Sequence, residues 1–411
     1  MSGWHSRDRK TAPFRALALP ENVSSMSVSI QRQAIAARRV VSAIFFMCGT
    51  SIGTWASRIP NIKSATGLDE SGFGILLLVM ACGAFVAFPI TGMLIDRLGA
   101  APMTKLLAVA NIISFVLIGL SPNVALLTAA LFLAGLSIGA LDISMNGWGA
   151  EVEKALERPI MSSYHGLYSL GAGVAALAGG LAIMADLSVL SHFVLWGIVA
   201  APFLVWYWRQ SWPQTKTENE DGSKAPLFAL PKGALVLVGL MALVAALGEG
   251  AVTDWAALYQ IEDLGIAESI APAAFTIFSI AMVIMRLSGD KVIARFGPVP
   301  TARVSGIVAL LGCILLVSGA GLWSVWAGCF VMGLGYAVLF PLAMSRAASD
   351  PHMSKGAALA AVATLGYGAF LFGPPLLGFV GDYLSLRASF ITVAVLTVAI
   401  PLLAGALKVK D

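Results

Sequence analysis

The chain has 411 residues, of which 58% are hydrophobic and only 12% are charged, with a formal net charge of +4. Soluble domains carry about 25% charged residues, so this composition excludes an ordinary soluble protein and indicates one that lies within a lipid bilayer. The small positive charge then reflects membrane topology, and it does not indicate a nucleic-acid partner.

Twelve apolar runs are long enough to cross a bilayer, whose hydrocarbon core takes about 20 helical residues. In chain order they are 39–60, 72–95, 103–121, 124–150, 161–184, 189–209, 233–258, 271–289, 301–319, 322–346, 356–380 and 386–407. The sequence therefore predicts an all-α integral membrane protein with 12 transmembrane helices.

The polar stretches divide these runs into two sets of six. Residues 1–38 are polar and basic, and we predict a mobile cytoplasmic tail there. Residues 210–231 form a polar central linker between an N-terminal six-helix bundle, 39–209, and a C-terminal one, 232–407.

Lys and Arg residues predict the orientation, because they concentrate in cytoplasmic loops. With the N-terminus inside, only Arg58, Lys63 and Arg387 of the 26 Lys and Arg fall on the opposite side. We expect a multi-pass, monomeric protein of a bacterial inner (plasma) membrane with both termini in the cytoplasm. The four cysteines lie in apolar runs without metal-ligand spacing, so we expect no metal and no cofactor.

The two sets of runs resemble each other at an offset of about 200 residues, which is the signature of an internal repeat. Trp55 matches Trp255, Gly99 matches Gly297, and AGLSIG around Gly135 matches MGLGYA. Parallel six-helix repeats that rock about a central binding site are typical of secondary transporters.

Three motifs carry a resemblance to a known family. GMLIDRLG, residues 92–99, is similar to the GxxxDRxG signature of the major facilitator superfamily, and GDKVIARFG, residues 289–297, is a partial second copy. LDISMN, residues 141–146, resembles the LETAANP stretch of fucose-permease-like sugar:proton symporters. GEGAVTDWAALY, residues 248–259, and YHGLYSLGAG, residues 164–173, are similar to the YbjJ/MosC-like branch, some members of which are tied to rhizopine, an aminocyclitol.

The resemblance implies the two-bundle fold of that superfamily and several site residues. It implies a gating role for Gly92, Asp96, Arg97 and Gly99, with Asp96 accepting bonds from a neighbouring helix N-terminus. It also implies that Asp142 couples solute to proton movement, although the family's second acid, on the first span, is replaced here by Ala56.

Ionisable groups inside a span are costly and by default mark a substrate or proton path. We predict proton coupling through Asp142, His165 and Glu249, with Asp142 and His165 sharing a proton at similar depth on adjacent spans. The alternatives are an Asp142 bonded to a neighbouring Ser or Asn, and a His165 that anchors the lipid interface. Glu249, near the middle of its span, is the candidate for the second carboxylate.

Further polar and aromatic side chains are candidate solute ligands. Trp55 and Trp255 hold equivalent places and would stack on the solute, unless they are interfacial anchors. Arg58 would pair with Asp254 or Glu249 when the outer gate closes. The alternative is that Arg58 and Asp254 simply lie at the outer membrane–water interface. Candidate ligands by hydrogen bonding are Asn146, Asp254, Tyr164 and, less directly, Asn111.

These observations together predict a secondary active transporter that moves a small polar solute, such as a sugar, cyclitol or aminocyclitol, by alternating access with proton coupling. Efflux of a drug or metabolite is the alternative, and a non-transporting membrane sensor is a remote one. An enzyme is not expected, because the chain contains no HExxH, GxSxG or P-loop pattern.

Overall fold

The computed structural model describes residues 21–157, 160–212, 231–353 and 355–408. Its helices are Glu21–Thr66 (α1), Glu70–Leu98 (α2), Ala100–Leu120 (α3), Val124–Leu156 (α4), Met161–Met184 (α5), Val189–Arg209 (α6), Ala234–Glu262 (α7), Ala273–Phe296 (α8), Pro298–Val317 (α9), Leu322–Tyr336 (α10), Leu339–Ala348 (α11), Lys355–Tyr383 (α12), Leu386–Thr397 (α13) and Ala399–Leu403 (α14), followed by a 3-10 turn, Ala404–Leu407.

The predicted all-helical fold is confirmed, with no strand among the described residues. Eleven stretches there are long and apolar enough to cross a membrane. Helix α8 has the length, 24 residues, but its second half carries several charges, Arg286 among them. Two spans are interrupted: α10 and α11 form one, and α13, α14 and the 3-10 turn form the last.

The first helix begins earlier than the sequence indicates. Helix α1 starts at Glu21, well inside the stretch 1–38 that we predict to be a mobile tail. Residues 1–20 of that tail and residues 213–230 of the predicted linker lie outside the described residues.

Helix packing repeats between the two sets of spans. In the first set, α1 packs on α5, α2 on α4, and α3 on α4 and α6. In the second, α7 packs on α12, α8 on α10, and α9 on α10 and α13, which are the equivalent spans. The sets meet along two seams, α2 with α12 and α5 with α8, so the predicted pseudo-symmetric pair of bundles is confirmed.

Glycines allow the closest helix pairs to form, because small residues let helices in lipid approach each other. A Cβ at Gly135 on α4 would overlap the carbonyl oxygen of Met80 on α2, and one at Gly83 would overlap that of Phe132. Gly49 and Gly53 on α1 face the α5 backbone in the same way, at Tyr168 and at Ala172.

The two ends of the bundle differ in how tightly the sets pack. We call the end where α1 begins the near side and the end where it terminates the far side. On the far side, Lys63 binds Glu262 at 2.9 Å, Asn61 binds Glu268 at 2.8 Å, and Ser71 binds Asp382 at 2.7 Å, each across the two sets. No packing of comparable extent joins α4 to α10 or α11 among the described residues, so the two sets separate on the near side.

The close approach of α2 and α4 predicts the effect of one methyl group. Gly135→Ala should lower the apparent Tm of the detergent-purified protein, because the Met80 backbone has to move, at a cost of about 1–3 kcal/mol.

Gly250→Ala is the matched control, since a Cβ there meets nothing within 4 Å. Both changes gain the same helix propensity, about 1 kcal/mol, so the difference between the two variants isolates the contact. Equal Tm values for the two variants would contradict the packing described for α2 and α4.

Candidate functional site

Asp142 lies on α4 with a half-buried side chain that faces the second set of helices. Its Oδ1 accepts a hydrogen bond from Asn146 Nδ2 at 3.1 Å, one helical turn along. The hydroxyl of Tyr367, on α12, lies close to the same carboxylate. The groups next to the Asp142 carboxylate are therefore neutral, and Tyr367 belongs to the other set of helices.

A group of half-buried and exposed aromatic rings continues from Tyr367 across the seam. Phe88, on α2, lies 5.3 Å from the Tyr367 ring between centroids, and Phe340, on α11, lies 5.8 Å from it. Phe85 and Phe370 extend the group at either end. We call Phe85, Phe88, Phe340, Tyr367 and Phe370 the aromatic wall.

Glu249 and Arg286 form an ion pair on the second set of helices. The Arg286 guanidinium, on α8, donates to Glu249 Oε2 on α7 at 3.4 Å. It also donates to Ser169 Oγ at 2.6 Å and toward the His165 carbonyl at 3.5 Å, both on α5 of the first set. Arg286 thus bridges the two sets and neutralises the carboxylate that the sequence analysis assigns to proton coupling.

Tyr168, on α5, lies within electrostatic range of Asp142, Glu249 and Arg286. These groups therefore lie near one another between the two sets of helices, and Tyr367 joins them to the aromatic wall. We call the region of Asp142, Asn146, Tyr168, Glu249, Arg286 and Tyr367 the central cleft.

His165 does not reach Asp142. The two side chains share no hydrogen bond among the described residues, and the His165 ring lies edge-on to Phe45 at 5.3 Å between centroids. Helix α1 packs against both α4 and α5, which make little contact with each other. Neighbours in sequence are therefore not neighbours in space here.

Several predicted solute ligands are buried in the protein core in this conformation. Trp55 and Trp255 are 2% and 1% exposed, and Trp255 lies edge-on to Phe73 at 6.3 Å. Tyr164 is fully buried and stacks on Phe45 at 5.1 Å, and Asn111 is fully buried on α3. None of the four lines the central cleft, whereas Asn146 does.

The predicted gating residues lie at opposite ends of the bundle. On the far side, Arg58 binds His192 Nδ1 at 3.0 Å, the Leu187 carbonyl at 2.8 Å and Asn61. It pairs with neither Asp254 nor Glu249 here. The polar side chains that cross the two sets at this end are those of Lys63, Asn61 and Ser71, and none of them is among the predicted gating residues.

On the near side, Asp96 and Arg97 are exposed and make no hydrogen bond within the described residues. Gly92 has open space around it. Gly99 has φ of 86°, a conformation that favours glycine, and ends α2 by donating its N–H to the Ile95 carbonyl. The expected latch between Asp96 and a helix N-terminus is therefore not engaged in this conformation.

Lipid-length helices that enclose a polar cleft between two pseudo-symmetric sets define a membrane transport protein. No group of three or more His, Cys, Asp or Glu among the described residues could hold a metal ion. The cleft contains carboxylic acids and hydrogen-bonding groups, which suit the binding of a polar solute.

Comparison with known proteins identifies the family. The family model described as Major Facilitator Superfamily matches residues 40–367, so the chain belongs to that superfamily. It is accordingly a multi-pass membrane transporter for a small solute, and it is not an enzyme.

Two relatives and two solved structures illustrate the similarity. The uncharacterized transporter y4wD of Sinorhizobium fredii is 39% identical over 90% of this chain and 98% of its own length, and the membrane protein MosC of Rhizobium meliloti is 28% identical over 85% of each. The nucleoside transporter NupG superposes with a TM-score of 0.70 at 14% identity, covering 91% of this chain and all of NupG. A single-substitution variant of the E. coli fucose:proton symporter FucP superposes with a TM-score of 0.61 at 14% identity, covering 90% of this chain and 98% of FucP.

Three residues of the cleft are not among the predicted site residues. Tyr168 lies within YHGLYSLGAG, residues 164–173, but nothing in that motif distinguishes it as a cleft residue, and Tyr367 belongs to none of the quoted motifs. Arg286 is noticeable as a charge within a span, but its partner Glu249 depends on how α7 and α8 are rotated about their axes. Periodicity alone does not give that rotation.

The Glu249–Arg286 pair predicts non-additive substitutions. Arg286→Met should lower the apparent Tm strongly, because it leaves the Glu249 carboxylate without its opposite charge. The double variant Arg286→Met with Glu249→Gln should recover part of that loss, with a coupling energy of about 0.5–3 kcal/mol.

The measurement is thermal unfolding of the single and double variants in the same detergent. Lys291→Met, on the same helix, is the control for simply removing a cation from α8. Strictly additive Tm changes would show that the two side chains do not interact in the membrane protein.

Proposed function

We propose that the protein moves a small polyhydroxylated or amino-substituted ring, such as a sugar, cyclitol or aminocyclitol, by proton-coupled alternating access. The observation that carries the proposal is the Asp142 carboxylate, which binds Asn146 on its own helix and lies close to the Tyr367 hydroxyl of the other set of helices. A group that contacts both sets can respond to their relative movement.

The chemistry of the cleft supports this class of solute. The Asp142 carboxylate and the Asn146 amide can accept and donate hydrogen bonds to hydroxyl or amino groups. The aromatic wall offers flat apolar faces, on which the C–H face of a saturated ring packs well. In this proposal the wall takes the stacking role first assigned to Trp55 and Trp255, which stay candidates for a different conformation.

Proton coupling is proposed at Asp142 because all its partners are neutral. A carboxylate without an opposite charge pays a large burial cost when ionised, so it gains or loses a proton readily as its surroundings change. Glu249 stays a candidate for the second proton carrier, but its proton would compete with the Arg286 guanidinium. His165 stays a candidate without contact to either acid.

The arrangement of the two ends supports alternating access. Ion pairs and hydrogen bonds close the far side around Lys63, while α4 and α11 are apart on the near side and the Asp96 latch is free. This is the combination expected of a transporter open to the near side. We propose that the near side faces the cytoplasm of a bacterial cell, that the protein lies in the inner membrane, and that it acts as a monomer.

The solute is to be found by a thermal-shift screen of the purified protein. The panel comprises sugars, amino sugars, cyclitols and aminocyclitols, with uridine included because NupG is a nucleoside transporter. A ring with several hydroxyl groups should raise the Tm, and Asn146→Ala should reduce that rise. Stabilisation by apolar drugs alone would contradict the proposal and favour efflux.

Asp142→Asn tests the coupling with the solute that the screen identifies. In reconstituted vesicles we expect the variant to lose uphill accumulation driven by a pH gradient, because the amide cannot carry a proton. Exchange of labelled for unlabelled solute should continue, because Asn keeps the size and hydrogen bonding of the side chain.

Asp186→Asn is the matched control. Asp186 is exposed in the turn after α5 with φ of 54°, a conformation that Asn also tolerates. It should behave like wild type in both assays. An Asp142→Asn protein that still concentrates the solute as wild type does would overturn the coupling role.

A further inference from the structure

Asp254 is a carboxylate with no partner among the described residues. It lies on α7, one and a half turns beyond Glu249, with a half-buried side chain. Within the described ranges it takes part in no hydrogen bond and no ion pair. Glu249, by contrast, is held by Arg286 at 3.4 Å. The two acids of the same helix are therefore in opposite electrostatic situations.

The carboxylate of Asp254 borders a small apolar cavity between α7 and α12. The cavity has a volume of about 10 Å³ and is lined from α12 by Ala369, Phe370, Gly373, Pro374 and Leu377. That volume is roughly the space of one water molecule. The cavity is far too small for a sugar or cyclitol, so Asp254 stays a candidate solute ligand for a different conformation.

No charged group on the helices packed around α7 pairs with Asp254 among the described residues. Lys63 of α1 binds Glu70 and Glu262, and Arg58 of the same helix binds His192 and the Leu187 carbonyl. Arg286 of α8 binds Glu249, Arg346 of α11 binds Asp350, Asp382 of α12 binds Ser71, and Arg387 of α13 binds the Val317 carbonyl. The same helices also carry Arg32, Arg38 and Arg39 on α1 and Asp290, Lys291 and Arg295 on α8. None of these groups neutralises Asp254.

The cavity also lies directly under the layer that closes the far side. Trp255, the next residue, lines the cavity, contacts Phe73 of α2 and packs against Gly378 of α12. Its indole Nε1 is buried and has no hydrogen-bond partner among the described residues. Because α2 belongs to the first set of helices and α7 to the second, we expect opening of the far side to loosen this layer and to bring far-side water to Asp254.

We propose that Asp254 is a proton-binding site of the transport cycle and that it, rather than Glu249, is the second acid beside Asp142. The inference rests on the proposed proton coupling. The carboxylate accepts a proton from hydronium when far-side water reaches it, and the neutral acid is the form that the apolar surroundings accommodate at lower cost. The proton leaves to near-side water while the far side is closed, through the exposed part of the half-buried Asp254 side chain, so that it crosses the membrane.

A metal cation is a poorer occupant of the same cavity than a proton. Hard cations such as sodium require several oxygen ligands, and Asp254 is the one lining residue with a side-chain oxygen. A cavity the size of one water also leaves no room for a hydrated ion. The chemistry of the site therefore favours a proton.

Dicyclohexylcarbodiimide tests the site without any knowledge of the solute. This apolar reagent adds the O–H of a protonated carboxylic acid across one of its C=N bonds, and the adduct rearranges to a stable N-acylurea. The intact, purified protein is treated at a series of pH values, digested, and mapped by mass spectrometry. We expect an adduct at Asp254 that increases as the pH is lowered, and none at Glu249.

Three variants and one salt control make the outcome decisive. Asp254→Asn should lose the adduct, Asp254→Glu should keep it, and Glu249→Gln should leave it unchanged, with size-exclusion profiles confirming that each protein is folded. Labelling at Glu249 but not at Asp254, or labelling of Asp254 that sodium chloride suppresses and choline chloride does not, would overturn the inference.

The failure of this inference is separable from failure of the proposed function. If Asp142→Asn abolishes pH-driven accumulation while Asp254 is never labelled, coupling stands and only the Asp254 site is lost. If Asp254 is labelled as expected but accumulation ignores the pH gradient, Asp254 binds a proton that transport does not use, and the proposed coupling fails together with the transport role of Asp254.

Discussion

The cost of placing a charge inside a membrane protein is the constraint on which the rest of this structure depends. Within the described residues, Lys63 forms ion pairs with two glutamates, and Arg286 forms one with Glu249. Asp142 has only the neutral groups of Asn146 and Tyr367 there, and Asp254 has no partner. The ionised pairs hold helices together, whereas the acids without an opposite charge are the ones suited to exchange protons.

Helix packing determines where these groups meet. Glycine contacts bring α1 against α5 and α2 against α4, and the two seams join the sets of helices. Lys63 then binds across the far side, and Arg286 spans from α8 to both α7 and α5. The same packing leaves α4 and α11 apart on the near side. A conformation closed at one end and open at the other follows from these few contacts.

Much of the fold is predictable from the sequence because lipid imposes long apolar runs. The twelve predicted spans match the helices closely, except that α1 begins at Glu21 and that the tenth and twelfth spans are interrupted, after α10 and after α13. Asp142 is also predictable, as an acid in an apolar run. The pairing of Asp142 with His165 is not, because α1 packs between their helices, and the burial of Trp55 and Trp255 depends on helix rotation, which composition does not encode.

The central claim is that solute and proton cross together through the cleft around Asp142. Its most direct test is a proton flux measurement in vesicles that contain a trapped pH-sensitive dye. With no pH gradient imposed, addition of the identified solute outside wild-type vesicles should acidify the interior at a rate that follows solute uptake. Solute uptake without any change of interior pH would contradict the account.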